Sequence, residues 1–231
     1  NALNEAFPDL KKIVVNDGIL SLYTVTMGKP GAVVVAGTGS VGYAYTGKDY
    51  LRVGGWGYIA GDQGSAYWIG RRALEYAIKS EDRIVEYTLI KDLITNYKGM
   101  ELKEYMNKLF YDFKVEEIAG LAKLVDIAYS SGDKIAGMIL EEAAEELIAL
   151  MNVLVNVVGE NSRIGFLGGV MNSQAIVEML KKRFPNALFF KGYENIIGGA
   201  LYLLSKSRKV DENLRNKIIK SFNEFDLEKY L

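Results

Sequence analysis

The chain has 231 residues, 28 basic and 29 acidic side chains, no cysteine and no histidine, and a formal net charge of −1. This composition excludes disulfides, iron–sulfur clusters, His/Cys zinc sites, cysteine nucleophiles and Ser-His-Asp triads, so acid–base chemistry falls to carboxylates, lysine or tyrosine. A metal would need oxygen ligands, which favours Mg²⁺ brought in with a nucleotide. Because the basic residues are scattered, we expect a small-molecule partner, no nucleic acid and no membrane. With no signal peptide or long apolar run, a cytoplasmic location is expected.

The first predicted elements end in two polar residues. Residues 1–12 carry apolar side chains at helical spacing for only two turns, so they predict the end of a helix that something precedes. The apolar run at residues 13–15 predicts a short buried strand, and residues 18–27 predict a helix. Asn16 and Asp17 lie between them, at the kind of junction where α/β folds display working residues. The alternative for Asp17 is a helix N-cap, and the two roles are compatible.

A glycine-rich loop after a β-branched run forms the centre of the sequence. Residues 32–36 predict a buried strand, which delivers the loop Gly37, Thr38, Gly39 and Ser40. Glycines let backbone N–H groups approach an anion and the hydroxyls add donors, so we expect phosphate there; a tight hairpin turn is the alternative. The loop also fits G-x-G-x-x-G, which must open a helix, and no Walker-type loop occurs. Residues 41–53 instead alternate like a second strand, which argues against a dinucleotide-binding fold.

A second glycine-rich stretch, GGWGYIAGDQGS, covers residues 54–65. Its glycines surround Trp56 and Asp62, and so many glycines are costly in backbone entropy, which favours a ligand-facing loop over a plain connection. From Ser65 onwards the apolar residues recur at helical spacing. Tyr67 and Trp68 are candidates for stacking on a sugar, although that spacing is more typical of a core.

The rest of the chain alternates helices with two further strands. Residues 81–158 predict amphipathic helices, of which the last is long and starts at residue 134. The later elements are predicted in this order: a strand at 163–167, a helix at 173–183, a strand at 187–191, a helix at 195–205 and a polar tail helix at 211–231. The first of these strands ends in Gly168 and Gly169, which would admit a flat ligand or merely form a tight turn. In the last apolar helix, Gly198 and Gly199 would permit close packing.

Taken in order, these motifs resemble the BadF/BadG/BcrA/BcrD ATPase family, and within it the N-acetylglucosamine kinase or archaeal hexokinase-like branch. The resemblance covers nearly the whole chain, and its most specific part is the glycine-rich stretch around Trp56. The motifs that carry it are Asn16-Asp17 after a strand, AGTGS at 36–40, GGWGYIAGDQGSAYWIG at 54–70, the SGD turn at 131–133, LGGVMNS at 167–173 and the glycine-rich last helix.

The resemblance implies an actin-like ATPase (ribonuclease H-like) fold of the α/β class, with a mixed sheet flanked by helices, and an ATP- and Mg²⁺-dependent sugar kinase that forms a homodimer. It implies that Asp17 is the general base that takes the proton of the attacking sugar hydroxyl. The remaining roles that it implies are phosphate binding by Gly37, Thr38, Gly39 and Ser40, sugar binding by Gly55, Trp56 and Asp62, and adenosine binding by Gly168, Gly169 and Asn172.

The resemblance also predicts how the chain is divided. The family opens with a D-x-G-G-T phosphate loop that this sequence lacks, so residues 1–30 are expected to be the remnant of an N-terminal domain. Residues 31–205 would form the C-terminal domain, with a helical insertion at 81–158, and residues 206–231 a helical tail. Two departures concern Val41, where several sugar kinases of this branch have Asn, and Asn195, where proline is common. The first leaves glucose, glucosamine or another hexose open as substrates.

Two alternatives to a sugar kinase remain at this point. One is the ATPase that activates a 2-hydroxyacyl-CoA dehydratase, but its iron–sulfur cluster requires cysteines that this sequence does not contain. The other is a non-catalytic sugar- or nucleotide-binding protein, which would follow if the first phosphate loop is missing from the mature protein.

Overall fold

The computed structural model describes residue 5 and residues 14–191, 195–205 and 211–224. Its five strands are β1 (Gly31–Ala36), β2 (Ser40–Tyr45), β3 (Tyr50–Gly54), β4 (Arg163–Leu167) and β5 (Leu188–Phe190). They form one sheet in the order β3-β2-β1-β4-β5. The first three strands pair antiparallel, whereas β4 is parallel to both β1 and β5, so the predicted mixed sheet is confirmed.

Helices cover both faces of this sheet, as expected for an α/β fold. In chain order they are α1 (Asp17–Thr26), α2 (Ala66–Glu81), α3 (Leu89–Lys98), α4 (Leu102–Tyr111), α5 (Val115–Ala119), α6 (Ala122–Ser130), α7 (Lys134–Val158), α8 (Gln174–Arg183), α9 (Asn195–Ser205) and α10 (Glu212–Glu224). Within the described parts of the chain, no helix has the length and apolar run needed to traverse a bilayer. The predicted helix at 1–12 and the end of the predicted tail helix lie outside these parts, apart from the helical residue 5.

The chain leaves the loop after β1 as a strand. Ala36 pairs with Ser40, and the antiparallel ladder continues to Gly31 and Tyr45. The loop at residues 37–39 is therefore a hairpin tip, closed by a hydrogen bond from the Gly37 N–H to the Gly39 carbonyl at 2.9 Å. Because no helix follows it, the dinucleotide-binding interpretation of G-x-G-x-x-G is excluded.

The apolar run of β1 is continuous because both of its faces are covered. Val34 belongs to the large core cluster that includes Leu154 of α7, whereas Val33 packs with Leu22 and other residues of α1 on the opposite face. A strand buried on both sides has apolar residues at every position, whereas a strand with one solvent-exposed face alternates apolar and polar residues. α7 passes so close to β2 that a Cβ at Gly42 would lie 2.8 Å from the Leu154 side chain.

α9 packs directly on α1, as the glycines in its sequence allow. A Cβ at Gly198 would overlap the carbonyl oxygen of Leu20, and one at Gly199 would lie 3.7 Å from the Leu20 side chain. The predicted close approach of this helix is therefore confirmed, and the element that it contacts is α1.

The strand predicted at residues 13–15 is wrong for the two of its residues that the structure describes. Val14 and Val15 are not in a strand, and the Val14 side chain is 78% exposed. Ile13 lies outside the described residues. None of the five described strands pairs with residues 14–16. A short apolar run predicts a strand only where a neighbouring strand can accept its hydrogen bonds.

Asp133 joins two helices of the region that was predicted to be helical. Its Oδ1 atom accepts a hydrogen bond from the Ala136 N–H at 2.9 Å, which caps α7. Its Oδ2 atom accepts from the Leu89 N–H at 2.6 Å and from the Thr88 hydroxyl at 2.7 Å, at the start of α3. The SGD turn is thus a structural junction, in which one carboxylate satisfies donors of two helix N-termini.

Asp133→Ala is expected to lower the free energy of unfolding by about 2 kcal/mol, since it removes a cap and leaves part-buried donors without an acceptor. Urea denaturation of the two proteins measures the loss. The matched control is Asp112→Ala, which removes an exposed carboxylate that contacts Lys114 at 3.2 Å and should cost less than about 0.5 kcal/mol. Equal losses in the two variants would contradict a joining role for Asp133.

Candidate functional site

The carboxyl ends of β1 and β4 bring two glycine loops together. The two strands are parallel, with Val35 paired to Leu167, so the loops that follow them leave the same edge of the sheet. This is where open α/β sheets bind ligands. Gly168 has φ +121°, and a Cβ there would overlap the Ala36 carbonyl. The absence of a side chain at Gly168 therefore lets the second loop approach the end of β1.

A large cavity of about 1060 Å³, here called the large cavity, lies between these loops and the helical region. Gly37 and Thr38 line one wall, and Gly169 and Asn172 line another. Of the three residues predicted to bind adenosine, Gly169 and Asn172 therefore reach this cavity. Gly168 does not line it but packs beneath it against β1.

A second cavity of about 500 Å³, here called the small cavity, is lined by the same hairpin tip as the large cavity. Gly37 and Thr38 line both cavities, whereas Gly39 and Ser40 line the small cavity but not the large one. The small cavity is completed by Asn16, Val35, Val41, Tyr43, Arg52, Gly55, Gly57 and Asp62. A ligand group at the hairpin tip would thus be accessible from both sides.

The hairpin tip is held by its carbonyl groups, which leaves amide donors available. The first N–H groups of α2 donate to the tip, from Ala66 to the Gly37 carbonyl at 2.9 Å and from Tyr67 to the Thr38 carbonyl at 3.2 Å. Among the described residues, no acceptor pairs with the N–H of Thr38 or Gly39. Successive free amides in a glycine-rich turn form a concave donor site that suits an anion.

Asp62 stands directly over the hairpin tip. It has φ +58°, which is rare for a residue other than glycine, and its Oδ1 accepts from the Gly57 N–H at 3.3 Å. Its Oδ2 lies 2.6 Å from the point that a Cβ of Gly39 would occupy. The Ser40 hydroxyl donates to the Gln63 carbonyl at 2.7 Å, which ties the two glycine loops together beside this carboxylate.

Of the other residues predicted to bind the sugar, Gly55 lines the small cavity and Trp56 does not. The Trp56 side chain is 86% exposed, on a stretch where Gly54, Gly55 and Gly57 all have positive φ. Tyr67 is buried and Trp68 packs against the core, which agrees with the interpretation of both as core residues.

Asp17 begins α1 next to the small cavity without lining it. The helix is capped by Asn16, whose Oδ1 accepts from the Gly18 N–H at 2.8 Å, so Asp17 is the first helical residue and its side chain is exposed. Gly18 has no room for a side chain because Tyr43, which lines the small cavity, packs against it. The N-terminus of α1 is thus fixed at the edge of this cavity, with Asn16 inside it.

Comparison with known proteins identifies the family of this chain. The model of the BadF/BadG/BcrA/BcrD ATPase family matches residues 3–202. The chain belongs to that family. The resemblance stated from the sequence motifs is therefore confirmed.

The curated relatives of this family member include the following two kinases. It is 36% identical to the N-acetylmuramic acid/N-acetylglucosamine kinase of Clostridium acetobutylicum over 169 residues, which are 71% of this chain and 55% of the relative. It is 29% identical to the N-acetyl-D-glucosamine kinase of Dictyostelium discoideum over 208 residues, which are 84% of this chain and 65% of the relative. The chain thus spans less than two thirds of the length of these relatives.

Solved structures agree on the fold. A protein of Chromobacterium violaceum described as a candidate N-acetylglucosamine kinase superposes with a TM-score of 0.72 at 26% identity, over 87% of this chain and 70% of its own. A ROK family glucokinase from Streptomyces griseus, solved with glucose and AMPPNP, gives a TM-score of 0.52 at 15% identity over 87% of this chain and 70% of its own, which bears on the fold alone. The family member has the actin-like ATPase fold predicted from its sequence.

The charged residues that line the cavities and that sequence reasoning missed include Asp126 and Arg52. Asp126 on α6 lines the large cavity, where its Oδ1 accepts a hydrogen bond from the Ser173 hydroxyl at 2.5 Å. Ser173 in turn caps α8, directly after the Gly169–Asn172 turn. Burial raises the pKa of the Asp126 carboxyl above its ordinary value of 3.8, and the Ser173 hydrogen bond opposes this shift. No motif marks either residue.

The raised pKa of Asp126 predicts how the effect of Asp126→Asn on stability changes with pH. Between pH 3.8 and the higher pKa of the folded state, the folded protein binds more protons than the unfolded chain, so the wild type loses stability as pH rises through this range. The asparagine can still accept from Ser173 but does not titrate. The melting temperature of Asp126→Asn relative to wild type should therefore increase as pH is raised through that interval; a pH-independent difference would refute the shift.

Proposed function

We propose that the protein phosphorylates a hexose or N-acetylhexosamine, with ATP as the phosphate donor. The observation that supports this most directly is that one hairpin tip, rich in free amides, is shared by a large cavity and a small one. A phosphoryl group bound at this tip would have its nucleotide on one side and its acceptor on the other. Phosphoryl transfer depends mainly on such positioning and on charge stabilisation.

In this proposal the nucleotide occupies the large cavity. Its phosphates bind at Gly37, Thr38, Gly39 and Ser40, because the N–H groups of Thr38 and Gly39 and the exposed Thr38 hydroxyl are available as donors. The adenosine lies against the turn formed by Gly168, Gly169 and Asn172. The large cavity has room for such a ligand and is lined by polar groups at both ends.

The sugar would occupy the small cavity. A carboxylate can accept hydrogen bonds from neighbouring hydroxyls, and Asp62 is fixed over the hairpin tip in a suitable place. Gly55 forms the wall beside it, and Trp56 is proposed to contact the sugar from the rim. The two relatives described above are named as kinases of N-acetylated amino sugars, which supports a substrate of this class.

Asp17 is proposed as the general base. It would take the proton of the acceptor hydroxyl while that oxygen bonds to the γ-phosphorus and the bond from the phosphorus to the ADP oxygen breaks. Its exposed position at the edge of the small cavity supports this role. Asp62 is the carboxylate that lines the cavity itself, so the two acids are tested separately below.

Mg²⁺ is proposed to arrive with the nucleotide and to neutralise charge on the phosphates. Among the described residues, no group of three or more acidic, His or Cys side chains could hold a metal ion, so the phosphates would provide most of its ligands.

ATP as donor supports a cytoplasmic location. A homodimer is supported by exposed apolar residues of the helical region, with Phe110 83% and Tyr111 94% exposed.

The domain division remains part of this proposal. Residues 1–30 would be the remnant of an N-terminal domain, residues 31–205 the C-terminal domain with its helical insertion at 81–158, and residues 206–231 the tail. The experiments below also test the non-catalytic alternative. A full gene product that binds sugar and ATP but transfers no phosphate would favour it.

Asp17→Asn is expected to lower kcat by about 1000-fold, with sugar affinity within about threefold of wild type, because the amide cannot take a proton. A coupled assay of ADP release and calorimetric titration of the sugar, both with the full gene product, measure the two quantities. Asp49→Asn, in the exposed turn between β2 and β3, is the matched control and should behave like wild type. Normal turnover in Asp17→Asn would remove Asp17 from the mechanism, and Asp62→Asn then tests the other carboxylate.

The two cavities can be separated with two alanine variants. Gly39→Ala places a Cβ 2.6 Å from Asp62 Oδ2 and should raise the Kd of the sugar by about tenfold or more, because the carboxylate must move. Gly169→Ala meets no atom within 4 Å and lines only the large cavity. It should raise the KM for ATP and leave the Kd of the sugar within about twofold. If both variants weaken sugar binding equally, the assignment of the cavities is wrong.

A further inference from the structure

One carboxylate of the large cavity has no role in the proposed placement of the nucleotide. Asp126 lies on α6 and lines this cavity, as do Ala122 and Ser130, which lie about one turn before and after it on the same face of the helix. Its hydrogen-bond partner Ser173 directly follows the Gly169–Asn172 turn and lines the same cavity. The carboxylate is therefore held beside the turn that is proposed to bind adenosine.

One oxygen of this carboxylate is committed to the protein. Asp126 Oδ1 accepts a hydrogen bond from the Ser173 hydroxyl at 2.5 Å, and the Ser173 oxygen accepts from the Ile176 N–H at 3.4 Å as the cap of α8. The single O–H of the serine is thus directed at Oδ1. This bond fixes the carboxyl group against the start of α8 and leaves Oδ2 as the oxygen that a ligand can use.

The other oxygen has no partner within the described parts of the chain. No hydrogen bond reaches Asp126 Oδ2 there, and no lysine or arginine acts on its charge. Lys123 of α6 also lines the cavity, but its Nζ donates to the Tyr97 hydroxyl at 3.2 Å. Burial raises the pKa of the Asp126 carboxyl, so water compensates its charge less than that of an exposed carboxylate. Such an oxygen favours a ligand that supplies a hydrogen-bond donor.

The number of free oxygens distinguishes between the purine bases. Adenine has one donor group on its edges, the exocyclic amino group, and its ring nitrogens only accept. Guanine offers a ring N–H and an amino group side by side, a pair that matches both oxygens of one carboxylate. Because Oδ1 already accepts from Ser173, the single free oxygen of Asp126 matches the single amino group of adenine.

We propose that Asp126 is a specificity residue that selects adenine as the base of the donor nucleotide, with Oδ2 accepting a hydrogen bond from the exocyclic amino group. A base with a carbonyl oxygen at that position would bring two acceptors together and bind more weakly. This inference rests on the proposed function, which places the nucleotide in the large cavity, and it deepens that function by naming the atom that recognises the base. The bond to Ser173 holds the carboxylate in register with the turn that supports the adenosine.

The first experiment titrates the full gene product with three nucleotides by calorimetry. They are ADP; IDP, which carries an oxygen in place of the amino group; and 2′-deoxy-ADP, which lacks a ribose hydroxyl. In wild type the Kd of ADP should be about 10- to 100-fold below that of IDP, the range expected for a hydrogen bond to a charged group. The Kd of 2′-deoxy-ADP should lie within about threefold of that of ADP. This comparison needs no variant and measures binding without turnover.

Asp126→Asn keeps the acceptor for Ser173 and places N–H donors where Oδ2 was. It should weaken the binding of ADP and strengthen that of IDP, so that the Kd of IDP becomes equal to or lower than that of ADP. A purely structural role would not produce this reversal, since it would affect both nucleotides alike. The matched control is Asp112→Asn, at an exposed position outside both cavities, which should keep the wild-type preference. Melting temperatures of both variants report on folding.

Each other outcome has a definite meaning. Equal Kd values for ADP and IDP in wild type overturn the inference and leave the kinase function standing. A larger loss with 2′-deoxy-ADP than with IDP assigns the carboxylate to the ribose, and equal weakening of ADP and IDP in Asp126→Asn assigns it to support of α8; both overturn the inference. A protein that prefers ADP as expected but phosphorylates no sugar would retain the inference and refute the proposed function. Absence of ADP binding would refute both.

Discussion

The parallel pairing of β1 with β4 is the constraint on which the large cavity depends. It runs from Gly31 and Arg163 to Val35 and Leu167, so both strands deliver their loops to one edge of the sheet. The two loops can meet only because Gly168 has no side chain where it passes the Ala36 carbonyl. A β-carbon at that point would separate the hairpin tip from the turn at Gly169–Asn172, and the large cavity would lose one of its walls.

A second constraint fixes the hairpin tip itself. The N–H groups of the first turn of a helix have no partner inside the helix, and in α2 two of them donate to the carbonyls of Gly37 and Thr38. The same bonds hold the tip in place, and the N–H groups of Thr38 and Gly39 keep no acceptor among the described residues. A donor site that is already fixed before an anion arrives has little reorganisation to undergo, which is the property required for stabilising charge during phosphoryl transfer.

Glycines and apolar runs could be interpreted from the sequence because they act locally. The hairpin after residue 36, the loop around Asp62 and the junction at Gly168 all follow from backbone freedom next to a buried strand. Arg52 and Asp126 could not be predicted, since the first depends on the register of β3 against β2 and the second on a contact with Ser173, 47 residues further along the chain. The strand expected at 13–15 failed in its described part for the same reason, because strand pairing is not local.

Asp62 depends on both glycine loops for its position beside the hairpin tip. Its Oδ1 accepts a hydrogen bond from the Gly57 N–H at 3.3 Å, and the Ser40 hydroxyl donates to the Gln63 carbonyl at 2.7 Å. Ser40 pairs with Ala36 at the end of β1, and the Gly55 N–H donates to the Ser40 carbonyl at 3.0 Å. The position of the carboxylate relative to the tip is therefore set by the antiparallel register of β1, β2 and β3, and hence by the sheet as a whole.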